Sequence, residues 1–146
     1  MRDRSDLHTT AAARLRRDDQ RYTRNRRALV DALAGADRPL TIQEVLSARA
    51  ELAQSSSYRN LAVLERSGVV RRVVSSDDFA RYELAEDLTG HHHHLICSSC
   101  GAVEDFTVPT RLERNLEHAL DKVMSDTGFS ADHHRLDLVG TCAACD

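Results

Sequence analysis

Tryptophan is absent from this 146-residue chain, and aromatic residues make up only 4% of it. Any core must therefore be built from Leu, Val, Ile and Ala. No apolar run approaches the ~18 residues of a membrane-spanning helix, and the charged stretch 1–27 lacks the apolar centre of a signal peptide. Both absences predict a cytoplasmic protein with no membrane partner. The first half also lacks lysine. Residues 1–74 hold fifteen Arg against nine Asp or Glu, a net +6, whereas residues 75–146 hold five Lys or Arg against fourteen acids, a net −9. Histidine is missing between His8 and His91, and cysteine is missing before Cys97. A basic half joined to an acidic, His/Cys-rich half implies a polyanion binder joined to a cation binder.

What is present falls into two patterns. Helical periodicity fills the first half. Thr9 or Thr10 caps a first helix. Thr23 caps a second, running to about Ala34, and Thr41 with Glu44 forms a capping box for a third. A fourth begins at Ser55 or Ser56, with Tyr58, Leu61 and Leu64 as its inward stripe. After Gly68, the β-rich run 69–74, the turn cluster 75–78 and the alternating run 79–84 read as a hairpin. That order is a winged helix-turn-helix. Residues 86–90 read as a hinge, and residues 91–146 as a small β, β, α, β unit, with the helix running from Pro109 to about Ser125. The fold class is α+β: a winged-helix domain over 1–85, then a small α/β domain.

The second half carries the metal chemistry. Cys97 and Cys100 are two residues apart, and so are Cys142 and Cys145. Each pair lets one turn present two thiolates to one ion, and four thiolates suit a closed structural zinc site. Four consecutive histidines precede the first pair. On a strand, His92 and His94 face one way and His91 and His93 the other, so they serve two separate sites. Nearby carboxylates are Glu83, Glu86, Glu104, Asp105 and Glu113. His8 and His118 read as surface residues. Imidazoles mixed with carboxylates suit Zn2+, Fe2+ or Mn2+. In the first half, the start of the fourth helix is the natural groove reader. Ser56 and Ser57 permit close approach, Tyr58 meets a thymine methyl or a phosphate, and Arg59 meets guanine or a phosphate. Arg21, Arg24, Arg26 and the wing arginines hold phosphates.

Taken in order, Ser56-Ser57-Tyr58-Arg59-Asn60-Leu61, Gly68-Val69-Val70, His91-His92-His93-His94-Leu95-Ile96-Cys97-x-x-Cys100-Gly101, and His134 eight residues before Cys142-x-x-Cys145 carry a family pattern. Over residues 20–145 the chain resembles the ferric uptake regulator (Fur) family. The unbroken four-histidine run is most similar to the zinc uptake regulator branch. The resemblance implies a homodimeric, metal-loaded repressor that binds double-stranded operator DNA and is not an enzyme. It implies structural zinc on the four cysteines and a regulatory site of Glu86, His92 and His94 completed by Asp105. It also implies a second site of His91, His93, Glu113 and His134. His8, Glu83 or water are alternative sources of the ligand that relatives draw from the DNA-binding half. Iron or peroxide sensing is the competing reading. A zinc hydrolase built on His92, His94 and Glu86 is a weaker one, because the chain lacks a His-Glu-x-x-His helix and any nucleophile constellation.

Overall fold

A computed structural model describes residues 3–146. Helix α1 (Arg4–Arg17) buries Leu7, Ala11 and Leu15 at four-residue steps. That stripe requires helix well before Thr9, so the expected start at Thr9 or Thr10 is corrected. Thr9 lies inside the helix, and its hydroxyl donates back to the Ser5 carbonyl at 2.9 Å. Helix α2 (Arg24–Ala34) starts where Thr23 accepts a hydrogen bond from the Arg26 amide. Helix α3 (Ile42–Ala48) carries the reciprocal Thr41–Glu44 capping box.

Helix α4 (Gln54–Arg66) differs from expectation on its inner face. The buried positions are Ser57, Leu61 and Leu64, spaced i, i+4 and i+7, which keeps to one face better than i, i+3 and i+6. Tyr58 is turned outward, 44% exposed. These helices share one core with Val69, Val70, Tyr82 and Leu84.

The wing pairs β2 (Val70–Val74) with β3 (Ala80–Leu84), and the short β1 (Leu40–Thr41) joins the other side of β3. Strand β3 is thus central and buried on both faces. Tyr82 and Leu84 enter the helical core, while Arg81 and Glu83 project to the side taken by the second half. The wing tip rests there too. The Ser75 hydroxyl donates to the Gly101 carbonyl at 2.6 Å, and Ser76 donates to the Cys97 carbonyl at 2.8 Å. Gly101 sits at φ +79°, and a Cβ there would lie 2.3 Å from the Asp77 side chain. Glycine is required on both counts.

Residues 86–90 hold a helical turn, α5 (Glu86–Thr89), with Leu88 buried in the N-terminal core. Arg14 of α1 donates to the Gly68 carbonyl at 2.6 Å and pairs with Asp87. Within these residues, Asp87 is tied to the first helix by Arg14. Beyond it, β4 (His93–Cys97) lies between antiparallel β5 (Val103–Phe106) and parallel β6 (Asp137–Gly140). Helix α6 (Thr110–Thr127) is strongly amphipathic yet has no buried residue, and every position of β6 is exposed.

Candidate metal centres

Among the described residues, three groups of potential ligands converge, and within each group the donor atoms all lie within 4.8 Å of one another. The first contains the four cysteines, none in a disulfide. Parallel pairing of β4 with β6 sets Cys97 beside Gly140, which brings Cys142 and Cys145 to the Cys97–Cys100 turn. The Cys100 and Cys142 amides point at the Cys97 sulfur at 3.5 and 3.4 Å. These amides pull the Cys97 thiol down to about 6, while bonds to Cys142 and Cys100 push Cys145 up to about 12. The Cys100 and Cys142 sulfurs are 3.8 Å apart. A tetrahedron with Zn–S bonds of ~2.3 Å has edges of roughly 3.8 Å, so the set fits one ion.

The second group is Glu83, His92, His94 and Asp105. His94 lies in β4 and His92 in the extended residues just before it, so strand alternation carried one residue back turns both the same way. His92 Nδ1–H donates to the Gly90 carbonyl at 3.0 Å, which turns Nε2 toward Glu83 Oε2 at 2.8 Å. His94 Nε2 is 3.2 Å from the same oxygen. Asp105, opposite His94 on β5, has its oxygens 3.7 Å from His92 Nε2 and 3.6 Å from His94 Nε2. Burial opposes ionisation of Glu83, but the bonds from His92 and His94 and the charge of Arg71 outweigh it and hold its carboxyl well below the usual range. The bond from Glu83 raises His92 to about 9. Burial, reinforced by the charge of Glu83, raises Asp105. A buried carboxylate, Glu83, and a more exposed one, Asp105, beside two imidazoles are a donor set for a divalent cation.

Glu86 does not join this group, which corrects the expected ligand set. Counting six residues back from His92 assumes a direct run, but α5 inserts a turn and redirects Glu86 onto His91 Nδ1. The carboxylate that meets His92 and His94 is Glu83, from the wing. Its signal was the alternation of β3: with Tyr82 and Leu84 in the core, Glu83 has to face the opposite way.

The third group is His91, His93, Glu113 and His134. Glu113 Oε1 is 2.8 Å from His91 Nε2 and 2.7 Å from His134 Nε2, and Oε2 is 2.9 Å from His93 Nε2. These bonds lower Glu113 to about 2. His93 is buried, and its Nδ1 has no partner.

Among the expected nucleic-acid contacts, Arg21, Arg24, Tyr58 and Arg59 are exposed and Ser56 is half-buried. Two others are corrected. Ser57 is 1% exposed because it belongs to the inner face of α4. Arg26 bonds the Asn60 side chain at 3.0 Å and the Arg21 carbonyl at 2.7 Å, clamping α2 to α4. The wing arginines are also engaged internally, Arg71 with Glu83, Arg72 with Glu65 and Arg81 with Asp77. His8, expected at the surface, is buried. Its ring nitrogens meet Tyr22 Oη at 2.6 Å and Asp31 Oδ1 at 2.7 Å, so it is not among the grouped ligands. His118 is exposed.

A winged helix in front of a small metal-ligand-rich α/β unit defines a class of metal-responsive regulators. The sequence pattern of the ferric uptake regulator family matches residues 17–139, and the chain belongs to that family. It is 29% identical over 139 residues to the peroxide-responsive repressor PerR of Staphylococcus aureus, covering 91% of this chain and 87% of the relative. The ferric uptake regulator of Helicobacter pylori, described as having three functional metal-binding sites, superposes with a TM-score of 0.77 at 21% identity, over 99% of this chain and 94% of that one. A zinc uptake regulator bound to zinc and DNA superposes with a TM-score of 0.56 at 21% identity, over 99% and 96% of the two chains. No helix among the described residues is long and apolar enough to cross a membrane.

Proposed function

We propose that this chain is a zinc-responsive transcriptional repressor that binds operator DNA as a metal-loaded homodimer. The observation that carries the reading is the Glu83, His92, His94, Asp105 group. Its ligands come from both halves, Glu83 from the wing hairpin, His94 and Asp105 from the C-terminal sheet, and His92 from the residue just before that sheet. A bound divalent cation is held by donors from both halves at once and so joins them. It also adds positive charge between Glu83 and Asp105, whose charges oppose each other. A cation that binds the joined arrangement more tightly shifts the population toward it. A coupling of about 1–3 kcal/mol corresponds to a change of roughly 5–150-fold in operator affinity.

The remaining assignments follow the same chemistry. Cys97, Cys100, Cys142 and Cys145 hold structural zinc, since four thiolates make a closed site. His91, His93, Glu113 and His134 form a further site, and three such groups parallel the three sites described for the H. pylori relative. Residues 1–85 form the DNA-binding domain, with Arg21, Arg24, Ser56, Tyr58 and Arg59 facing DNA, and residues 91–146 dimerise. The exposed apolar residues of α6 and β6, including Leu112, Val123, Leu138 and Val139, support dimerisation, because an apolar face of that kind demands a partner.

Selection from a random DNA duplex pool tests this reading. Zinc-loaded protein is expected to enrich a two-fold symmetric sequence that chelated protein does not. Equal enrichment with and without zinc counts against it. The PerR relative supports a second reading, peroxide sensing, and the mixed imidazole and carboxylate donors suit iron for it. In that case, iron and peroxide together release the selected DNA and leave an oxygen adduct on His92 or His94.

A further inference from the structure

One residue touching the Glu83 group is neither an expected ligand nor part of the core. Arg71 of β2 is the direct cross-strand partner of Glu83 on β3. Its Nε lies 2.5 Å from Glu83 Oε1, and the Glu83 side chain is buried. The other carboxylate oxygen, Oε2, is the one that faces His92 Nε2 and His94 Nε2, at 2.8 and 3.2 Å. The two oxygens of Glu83 therefore have separate duties. One is held by a permanent cation of the wing, and the other points at the imidazoles.

We infer that Arg71 sets the metal preference of this group by restricting Glu83 to a single donor oxygen. This inference rests on the proposed metal-binding role of the group. With Oε1 engaged, Glu83 offers one oxygen, which together with His92, His94 and Asp105 favours a low coordination number. Zinc accepts four ligands readily, whereas manganese and related hard ions seek about six, with oxygen preferred. The guanidinium also offsets one of the two carboxylate charges, which penalises ions held mainly by charge. Arg71 is thus a positioning residue acting through Glu83.

The test uses the full-length protein with zinc retained by its four cysteines. Glu113→Ala with His134→Ala strips the third group of two of its four donors, so that only one further site is observed. Co2+ is the spectroscopic probe, because its visible bands are strong in four-coordinate and weak in six-coordinate sites. With Arg71 present, an intense spectrum is expected. Arg71→Met is expected to weaken that spectrum, to reduce Zn2+ affinity by ~10–100-fold, and to reduce Mn2+ affinity far less. Arg71→Lys keeps a donor within reach of Oε1 and is expected to recover most of the intensity. An unchanged cobalt spectrum in Arg71→Met, or parallel losses for Zn2+ and Mn2+, overturns the inference. A lysine variant that behaves like methionine does the same. Failure of this doubly substituted protein to bind any Co2+ beyond the cysteine site sinks the underlying metal-site reading instead.

Discussion

The two halves of this molecule close their cores by different means. The first half encloses its own apolar residues: Leu15, Leu29, Leu61, Leu64 and Leu84 are almost fully buried within one chain. The second half has comparable apolar residues in α6 and β6 but buries none of them. Its internal cohesion comes from a three-stranded sheet and from clustered ligands. Hydrophobic burial of about 1.5–3 kcal/mol per large side chain sustains the first half. The second depends on thiolate and imidazole clusters and on a surface that asks for a second copy.

The largest expected break in this contrast comes from the four cysteines. Structural zinc in small domains contributes an apparent ~10–16 kcal/mol. Cys142→Ser is expected to leave residues 91–146 without a stable fold, while α1 to α4 keep slow amide exchange. Hydrogen exchange read by mass spectrometry checks both halves in one experiment, and equal loss in the two halves refutes the contrast. Next come two leucines of opposite setting. Leu61→Ala, at a position 0% exposed, is expected to cost about 2–5 kcal/mol of unfolding stability. Leu138→Asp, at a position 53% exposed, is expected to change monomer stability little but to weaken self-association by about 2 kcal/mol or more. Denaturant melts and sedimentation equilibrium separate the two effects.

A third comparison sharpens the junction itself. Glu83→Ala is expected to weaken metal binding at the His92–His94 group ~10–100-fold and to abolish metal-dependent DNA binding. Glu86→Ala, touching only His91, is expected to act on the third group through the orientation of that ring. Calorimetric metal titrations of the two variants give the order, and a dominant effect of Glu86 at the His92–His94 group reverses the assignment.

The smallest effect is on pH. In chelated protein the raised His92 stabilises the joined halves fully below its unfolded value of ~6.5, and that contribution is lost as pH rises through about 9. The lowered Glu83 contributes above ~4.3 and loses its contribution as pH falls through its depressed value. The junction of the metal-free protein is therefore strongest between these unfolded values and weakens toward pH 9. Metal binding needs neutral imidazoles, so the zinc-loaded protein is expected to gain as pH rises over the same range. Melting temperatures across pH, with and without chelator, check the opposite signs.

The reasons some features were legible and others not are physical. The Thr23 and Thr41 caps act within three residues of themselves, so local order is enough to find them. The division of His91–His94 between two groups follows from the two-residue period of a strand. Glu86 misled because distance along the chain stands in for distance in space only when no turn intervenes, and α5 is such a turn. Tyr58 misled because two neighbouring offsets on a helix both look periodic, and only packing against α2 and β2 chooses Ser57 for the inside.

By itself, the sequence determined the α+β class, the capped helices, the cysteine quartet and the opposite facing of alternate histidines. All of these depend on spacing and local hydrogen bonding. The tertiary structure alone decided that Glu83 rather than Glu86 meets His92 and His94. It alone decided that Arg71 holds the second oxygen of Glu83, that Arg26 and Ser57 serve the interior, and that His8 is buried against Tyr22 and Asp31. Each of these depends on strands and helices distant in sequence meeting at atomic range, which residue spacing does not encode.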